Sequence, residues 1–239
     1  MKIVCVGCSW TCGVVAANPL EQDTYPHIIK EHYPEAEVFN LGLSGGSNFL
    51  ISMILDWALL NIKPDIVVRQ YSSCHRWQMS KVDKLRYVRY NEVAPNYHKL
   101  DIKSISEQFV SWTANKVSYP NHHKYEYSEK ELDQMYRDFN ERTSFETSQH
   151  LEEALFFRTQ AQLQGVPNVQ FFWRQNYHRS VMAKHFLHIP AVISQPWHDE
   201  CTVDKGGHFG RKGNELLFEH IINPELEKCI HTVKSRKSI

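Results

Sequence analysis

The chain has 239 residues, 42% of them hydrophobic and 12% aromatic, enough for one full core and too apolar for a disordered chain. Its 27 Lys and Arg balance its 27 Asp and Glu, so no bulk charge directs it toward nucleic acid or an anionic membrane. Six cysteines over this length do not make a disulfide scaffold, and no apolar run approaches the roughly 20 residues that span a bilayer.

The opening Lys2-Ile3-Val4-Cys5-Val6-Gly7 reads as a buried strand that stops abruptly at Gly7, with Ser9 delivered just past its end. No basic stretch followed by an apolar one precedes it, so neither a signal peptide nor a transmembrane segment is expected. The expected setting is the cytoplasm, or a viral particle of which the chain is a component. A helix is expected from Leu20 to Tyr33, starting late or kinked because Pro26 falls inside it. Glu37 to Gly42 is a second short strand, followed by the loop Leu43-Ser44-Gly45-Gly46-Ser47-Asn48. Ser47 or Asn48 can cap the next helix, Phe49 to Ile62, which is apolar almost all round and so expected to be deeply covered. Lys63-Pro64-Asp65 breaks it, and Ile66 to Tyr71 is a third strand. Strand, helix, strand, helix, strand predicts right-handed βαβ units in a parallel sheet.

Residues from about 76 to 128 lose this rhythm. They are rich in Tyr, Asn, His and Lys and longer than a loop in a compact domain, so they read as an insertion after the third strand. The insertion is expected to pack near the carboxyl edge of the sheet and partly cover what binds there. Ser128 opens a further helix that runs, with one break near Thr143, to Gly165-Val166-Pro167. Asn168 to Trp173 is a fourth strand, and a mixed segment leads through Pro196-Trp197-His198-Asp199 to Asp204-Lys205-Gly206-Gly207-His208-Phe209-Gly210. Gly213 to Ile222 is the last expected helix, and the basic tail Lys234-Ser235-Arg236-Lys237 is expected to fray. With no repeat, low-complexity tract or linker, the reading is a single α/β domain over residues 1–239.

In open α/β sheets ligands bind at the carboxyl ends of the strands, which is where Ser9 falls. Acyl transfer needs a hydroxyl, a base, a group that orients the base, and donors for the oxyanion. Among fourteen histidines, His208 is preferred as base because Gly206 and Gly207 allow a tight, close-approaching loop. Asp204 can reach its other ring nitrogen and fix the tautomer. The N–H of Ser9 and that of Gly45, which has no Cβ in the way, are natural oxyanion donors. Ser9 as a plain helix cap and His208 as a plain surface histidine are the competing readings; their joint occurrence at the two ends of an α/β pattern favours the chemistry. Cys5-Val6-Gly7-Cys8 is formally a C-x-x-C, but no second pair completes a tetrahedral site, so no metal is expected. No G-x-G-x-x-G nucleotide loop is present either.

Gly7-Cys8-Ser9-Trp10-Thr11 resembles the Gly-Asp-Ser block of the SGNH/GDSL hydrolases, with cysteine in place of the aspartate. Asn40-Leu41-Gly42-Leu43-Ser44-Gly45 is similar to that family's second block, and Pro64-Asp65-Ile66-Val67-Val68 to the strand leading into the third. Two departures stand out. Where the family usually has Gly-x-Asn-Asp this chain has Ser72-Ser73-Cys74-His75, so the oxyanion asparagine is missing at its expected place and Asn48 substitutes only if its loop folds back. The usual D-x-x-H also gains one residue between Asp204 and His208, which leaves Asp199 as the fallback. The resemblance implies a three-layer α/β/α domain around a mostly parallel, flavodoxin-like sheet, with Ser9, His208 and Asp204 as triad and the N–H groups of Ser9 and Gly45 as oxyanion hole. It further implies a small ester or acylated glycan as substrate; no cofactor is expected, and neither nucleic acid nor a membrane is expected as partner on the balanced charge; the oligomeric state stays open. Three functions follow. The first is a serine esterase, an acetylesterase or deacetylase on a carbohydrate or other polar ester. The second is a catalytically weakened binding or structural module of the same fold, for example in a viral particle or surface assembly. The third is a thiol enzyme using Cys8, Cys12 or Cys74, each of which is ordinarily buried and inert.

Overall fold

A computed structural model describes residues 1–12, 14–15, 18–19, 24–43, 46–72, 77–80, 109–113, 116–118, 134, 145–172 and 208–238. In chain order they form β1 (Lys2–Gly7), α1 (Ser9–Cys12), β2 (Val14–Val15), β3 (Asn18–Pro19), α2 (Tyr25–His32), β4 (Glu37–Gly42), α3 (Asn48–Asn61), β5 (Ile66–Tyr71), β6 (Trp77–Ser80), β7 (Phe109–Thr113), β8 (Lys116–Ser118), α4 (Phe145–Gln162), β9 (Asn168–Phe172), α5 (Arg211–Leu217), a π-helical turn (Phe218–Ile222) and α6 (Asn223–Lys237).

Ile3, Val4, Cys5 and Val6 expose no surface, the pattern of an inner strand covered on both faces. β1 accordingly sits inside a four-stranded parallel sheet of order β4-β1-β5-β9. Lys2 lies opposite Glu37 and Gly7 opposite Gly42 on one side, and Ile3 opposite Ile66 on the other. α2, α5, the π-helical turn and α6 pack on one face of the sheet, α3 and α4 on the other, giving three layers. The winding reverses between β1 and β5, and the crevice of such a switch point opens at the carboxyl ends of those strands.

Local chemistry explains where the helices begin and end. Pro26 lies in the first turn of α2, where its missing N–H costs nothing, so the helix begins late, at Tyr25. The Leu50 N–H donates to Ser47 Oγ at 3.3 Å, capping α3. After α4 the chain turns at Gly165, whose φ of 78° is the left-handed conformation that suits glycine. α3 and α4 are joined by the Ser52 hydroxyl donating to Gln162 Oε1 at 3.0 Å and by an Arg158–Asp56 ion pair.

The expected fraying of the basic tail is not observed. Leu226, Cys229, Ile230 and Val233 recur at helical spacing and are buried, so the segment after Asn223 is a helix through Lys237. Arg236 Nη1 donates to the Gly165 carbonyl at 2.9 Å, and Lys237 pairs with Asp65 at 3.0 Å, which holds the last turn against the amino-terminal side of the sheet. Of the insertion, the described residues form an antiparallel sheet β6-β7-β8, with Trp77 opposite Trp112. The rest of it, and the expected cover over the site, lies outside the described residues, as do the expected helix start at Ser128, the break near Thr143, and Trp173.

Candidate active site

The sheet delivers Ser9 at the carboxyl end of β1, as the first residue of α1. The turn is tight. Thr11 N–H donates to the Cys8 carbonyl at 2.9 Å and Cys12 N–H to the same oxygen at 3.2 Å. On the β4 side, Asn40 Nδ2 donates to the Thr11 carbonyl at 2.9 Å while Asn40 Oδ1 accepts from the Gly42 N–H at 3.0 Å. On the β5 side, the Cys8 N–H donates to Gln70 Oε1 at 2.9 Å. No acceptor takes the Ser9 N–H among the described residues.

His208 arrives from the other end of the chain. Its Nε2 lies 2.8 Å from Ser9 Oγ, across 199 residues of sequence. Phe209 wedges its ring edge-on against Trp10 at 4.5 Å between centroids, and Trp10 lies 5.9 Å from the His208 ring. The buried Asn214 of α5 donates to the carbonyls of Phe209 at 3.3 Å and Gly210 at 3.2 Å, tying the strand-like entry to its helix. Asn214 is a residue that sequence reasoning missed; a buried polar side chain beside Leu216 and Leu217 was the available signal. Gly45, Asp204, Asp199 and Cys74 lie outside the described residues.

Asn48 does not serve as the replacement oxyanion donor. One of its amide protons goes to the Ser72 carbonyl at 3.0 Å and the other to Glu152 Oε2 at 2.8 Å, while its Oδ1 accepts from the Ser72 N–H at 2.8 Å. With both N–H groups engaged it clamps the chain after β5 to the start of α3. Two ionisable side chains near this clamp, Arg69 and Glu152, are both buried. The Arg69 guanidinium exposes no surface, sits 4.5 Å over the Tyr71 ring, and among the described residues its nitrogens have no hydrogen-bond partner. Burial pushes the Glu152 carboxyl up to about 8, against the opposing pull of the Asn48 hydrogen bond and the Arg69 charge.

A pH dependence of stability follows. Glu152 ionises near 4.5 when unfolded and near 8 when folded, so between those values the folded state holds one more proton than the unfolded state. Stability contributed by the neutral carboxyl is complete below about pH 4.5 and is lost as pH rises through about 8. Glu152→Gln keeps an acceptor for Asn48 and cannot ionise. Its stability relative to wild type is expected to improve from pH 5 to pH 8, on the order of 1.4 kcal/mol per unit of pH. Denaturant titrations at pH 5, 6.5 and 8 check this; a constant difference would mean that Glu152 is ionised in the folded protein throughout.

Cys5 and Cys8 of the opening stretch are buried, and Cys12 is half-buried with its thiol 3.6 Å from the Ser9 carbonyl. Cys5 is fully buried and burial pushes its thiol up, while the Cys8 thiol donates to Gln70 Oε1 at 3.2 Å. Among the described residues no group of three or more His, Cys, Asp or Glu side chains is placed to hold a metal ion, and no helix is long and apolar enough to cross a membrane.

No protein-family model matches the sequence, and no curated protein matches it. Solved structures similar to it include the lipase/acylhydrolase from Enterococcus faecalis, at 14% identity over 90% of this chain and 90% of that one, with a TM-score of 0.44. A psychrotrophic esterase from Pseudoalteromonas shares 9% identity over 97% of each chain, with a TM-score of 0.44. A family 3 carbohydrate esterase from Clostridium thermocellum shares 10% identity over 95% of this chain and 98% of that one, with a TM-score of 0.46.

Proposed function

We propose that this chain is a cofactor-independent serine hydrolase acting on an ester, with an acetyl ester of a carbohydrate or another polar group as the substrate class. The observation that carries the proposal is the 2.8 Å approach of His208 Nε2 to Ser9 Oγ at the switch point of the sheet. That distance lies within the range at which an imidazole takes a hydroxyl proton. In the proposed reaction Ser9 Oγ attacks the ester carbonyl carbon as its proton passes to His208 Nε2. The tetrahedral oxyanion is held by the N–H groups of Ser9 and Gly45. His208 then returns the proton to the departing alkoxide, the C–O bond breaks, and an acyl-Ser9 remains. Water repeats the sequence, with His208 again taking and returning the proton. Asp204 accepts from His208 Nδ1 and stabilises the imidazolium. Gly45 and Asp204 enter on the sequence argument alone.

A second reading, a binding or structural module on the same fold, has one observation behind it. The third-block asparagine is replaced by Cys74, and Asn48 has both amide protons engaged. Loss of one oxyanion donor typically costs about 2.7–4 kcal/mol of transition-state stabilisation.

An alkyl fluorophosphonate separates the two readings. A nucleophilic serine displaces fluoride and becomes a phosphonyl ester, a covalent mass increase on the peptide containing Ser9. Wild type is expected to take up one equivalent, and Ser9→Ala and His208→Ala none. Folded wild type that stays unlabelled after prolonged exposure would leave the module reading in place.

A further inference from the structure

β5 carries a side chain that neither the core nor the proposed reaction uses. Gln70 exposes no surface, although it lies in an inner strand that opens with Ile66, Val67 and Val68. Its Oε1 is where three donors converge: the Cys8 N–H at 2.9 Å, the Cys8 thiol at 3.2 Å and the Thr11 hydroxyl at 3.3 Å. Its Nε2 donates to the Tyr71 carbonyl at 2.7 Å, which fixes which way the amide faces. Thr11 Oγ1 is also 2.9 Å from the Tyr25 hydroxyl, so the network continues into α2. Space has been cleared for it, since a Cβ on Gly7 would lie 2.7 Å from Gln70 Oε1 and 2.0 Å from Thr11 Oγ1.

The donors are not scattered. Cys8 immediately precedes Ser9 and Thr11 lies in the same turn of α1, so one amide oxygen holds the entry to the helix on both sides of the serine. Asn40 holds the exit through the Thr11 carbonyl. We infer that Gln70 is a positioning residue for Ser9, fixing the turn through the Cys8 N–H and the Thr11 hydroxyl and thereby aiming Ser9 Oγ at His208 Nε2. The inference rests on the serine-hydrolase reading. A positioning residue acts on the approach to the transition state more than on substrate capture, because a displacement of about 1 Å at the reacting atom costs roughly a hundredfold in rate.

The test uses Gln70→Leu, Gln70→Glu and Thr11→Val in the full chain. Gln70→Leu keeps the volume and removes the acceptor. Its kcat on a small acetyl ester is expected to fall about 10–100-fold with KM little changed. In Gln70→Glu a protonated carboxyl restores both functions: its carbonyl oxygen accepts from Cys8 and Thr11, and its O–H donates to the Tyr71 carbonyl. Complete burial favours the protonated carboxyl at pH 6 against the opposing pull of the Cys8 and Thr11 donors; the titratable groups facing it are the Cys8 thiol and, through Thr11, the Tyr25 hydroxyl, with Arg69 on the opposite face of β5. At that pH its kcat is expected to recover toward wild type assayed under the same conditions. Thr11→Val, which removes one donor, is expected to lose several-fold in kcat and gives a second reading if Gln70→Leu does not fold.

Folded Gln70→Leu with wild-type kcat would overturn the inference, and so would Gln70→Glu as impaired at pH 6 as Gln70→Leu. Amide hydrogen exchange separates this failure from failure of the hydrolase reading. If wild type is not labelled by a fluorophosphonate, the hydrolase reading is lost. The Cys8 amide then decides: faster exchange in Gln70→Leu supports the hold on the turn, and unchanged exchange overturns it.

Discussion

Ser9→Ala is expected to lower kcat on a small acetyl ester by roughly 10⁴–10⁶ while leaving the protein folded. The Ser9 hydroxyl is what meets His208, and the turn that carries it is held by the backbone of Cys8, Thr11 and Cys12. Removing the hydroxyl therefore deletes the attacking atom without loosening its support. His208→Ala is expected to cause a comparable loss, since an unassisted serine hydroxyl is a weak nucleophile. The double variant should be little worse than either single one, because the two groups act in one step and their effects do not add. Steady-state and burst kinetics on the three variants measure this directly. Additive losses would mean that the residues act separately, and undiminished activity in folded Ser9→Ala would remove the nucleophile.

The second large effect is expected at Gly42, where the reason for glycine is space. A Cβ there would lie 2.2 Å from the Cys12 nitrogen, 2.6 Å from the Thr11 carbonyl carbon and 2.7 Å from Cys12 Cα. These are backbone atoms of α1, and a main chain cannot step aside as a flexible side chain can. Gly42→Ala must therefore push α1 off the end of β4 and drag Ser9 with it. A loss of about 3 kcal/mol, at the upper end of overpacking penalties, is expected together with a fall in activity. Gly165→Ala is the informative comparison. Nothing lies within 4 Å of a Cβ at Gly165, but its φ of 78° is left-handed, so the cost should be about 1 kcal/mol of backbone strain with activity kept. Unfolding curves of the two variants would contradict this if Gly42→Ala proved as stable as wild type.

What the sequence made legible depended on how far apart the partners were. β1, β4, β5 and β9 stand out because each is a short β-branched or aromatic run between breakers, and the doubly wound order follows from their alternation with helices. Ser9 and His208 could be singled out because Ser9 follows two residues after the glycine that ends a strand and His208 follows directly on a glycine pair. Gly42 belonged to a stretch that reads as a simple strand-to-helix turn, and only the approach of α1 explains it. Asn48 looked like a helix cap or a spare oxyanion donor. Its actual partner Glu152 is 104 residues away, and nothing in the periodicity of either helix announces that contact. Gln70 was hidden for the same reason, its partner being 62 residues earlier. α6 was missed for a different one: the basic residues of its last turn drew attention away from the buried set at Leu226, Cys229, Ile230 and Val233.

The 199 residues between the serine and its histidine also set a clock. Ribosomes add about 5–20 residues per second, so Ser9 emerges roughly 10–40 s before His208 is made. During that interval the hydroxyl has no base to take its proton and is as unreactive as any serine on a nascent chain. β4 and β5, the neighbours of β1, are made within the first 71 residues, whereas the edge strand β9 comes only at Asn168–Phe172. On the proposed reading, reactivity arrives only when the growing polypeptide has finished its sheet and brought its far end back to its beginning. On the same reading, a fragment released early by stalled translation carries the serine without the histidine that would activate it.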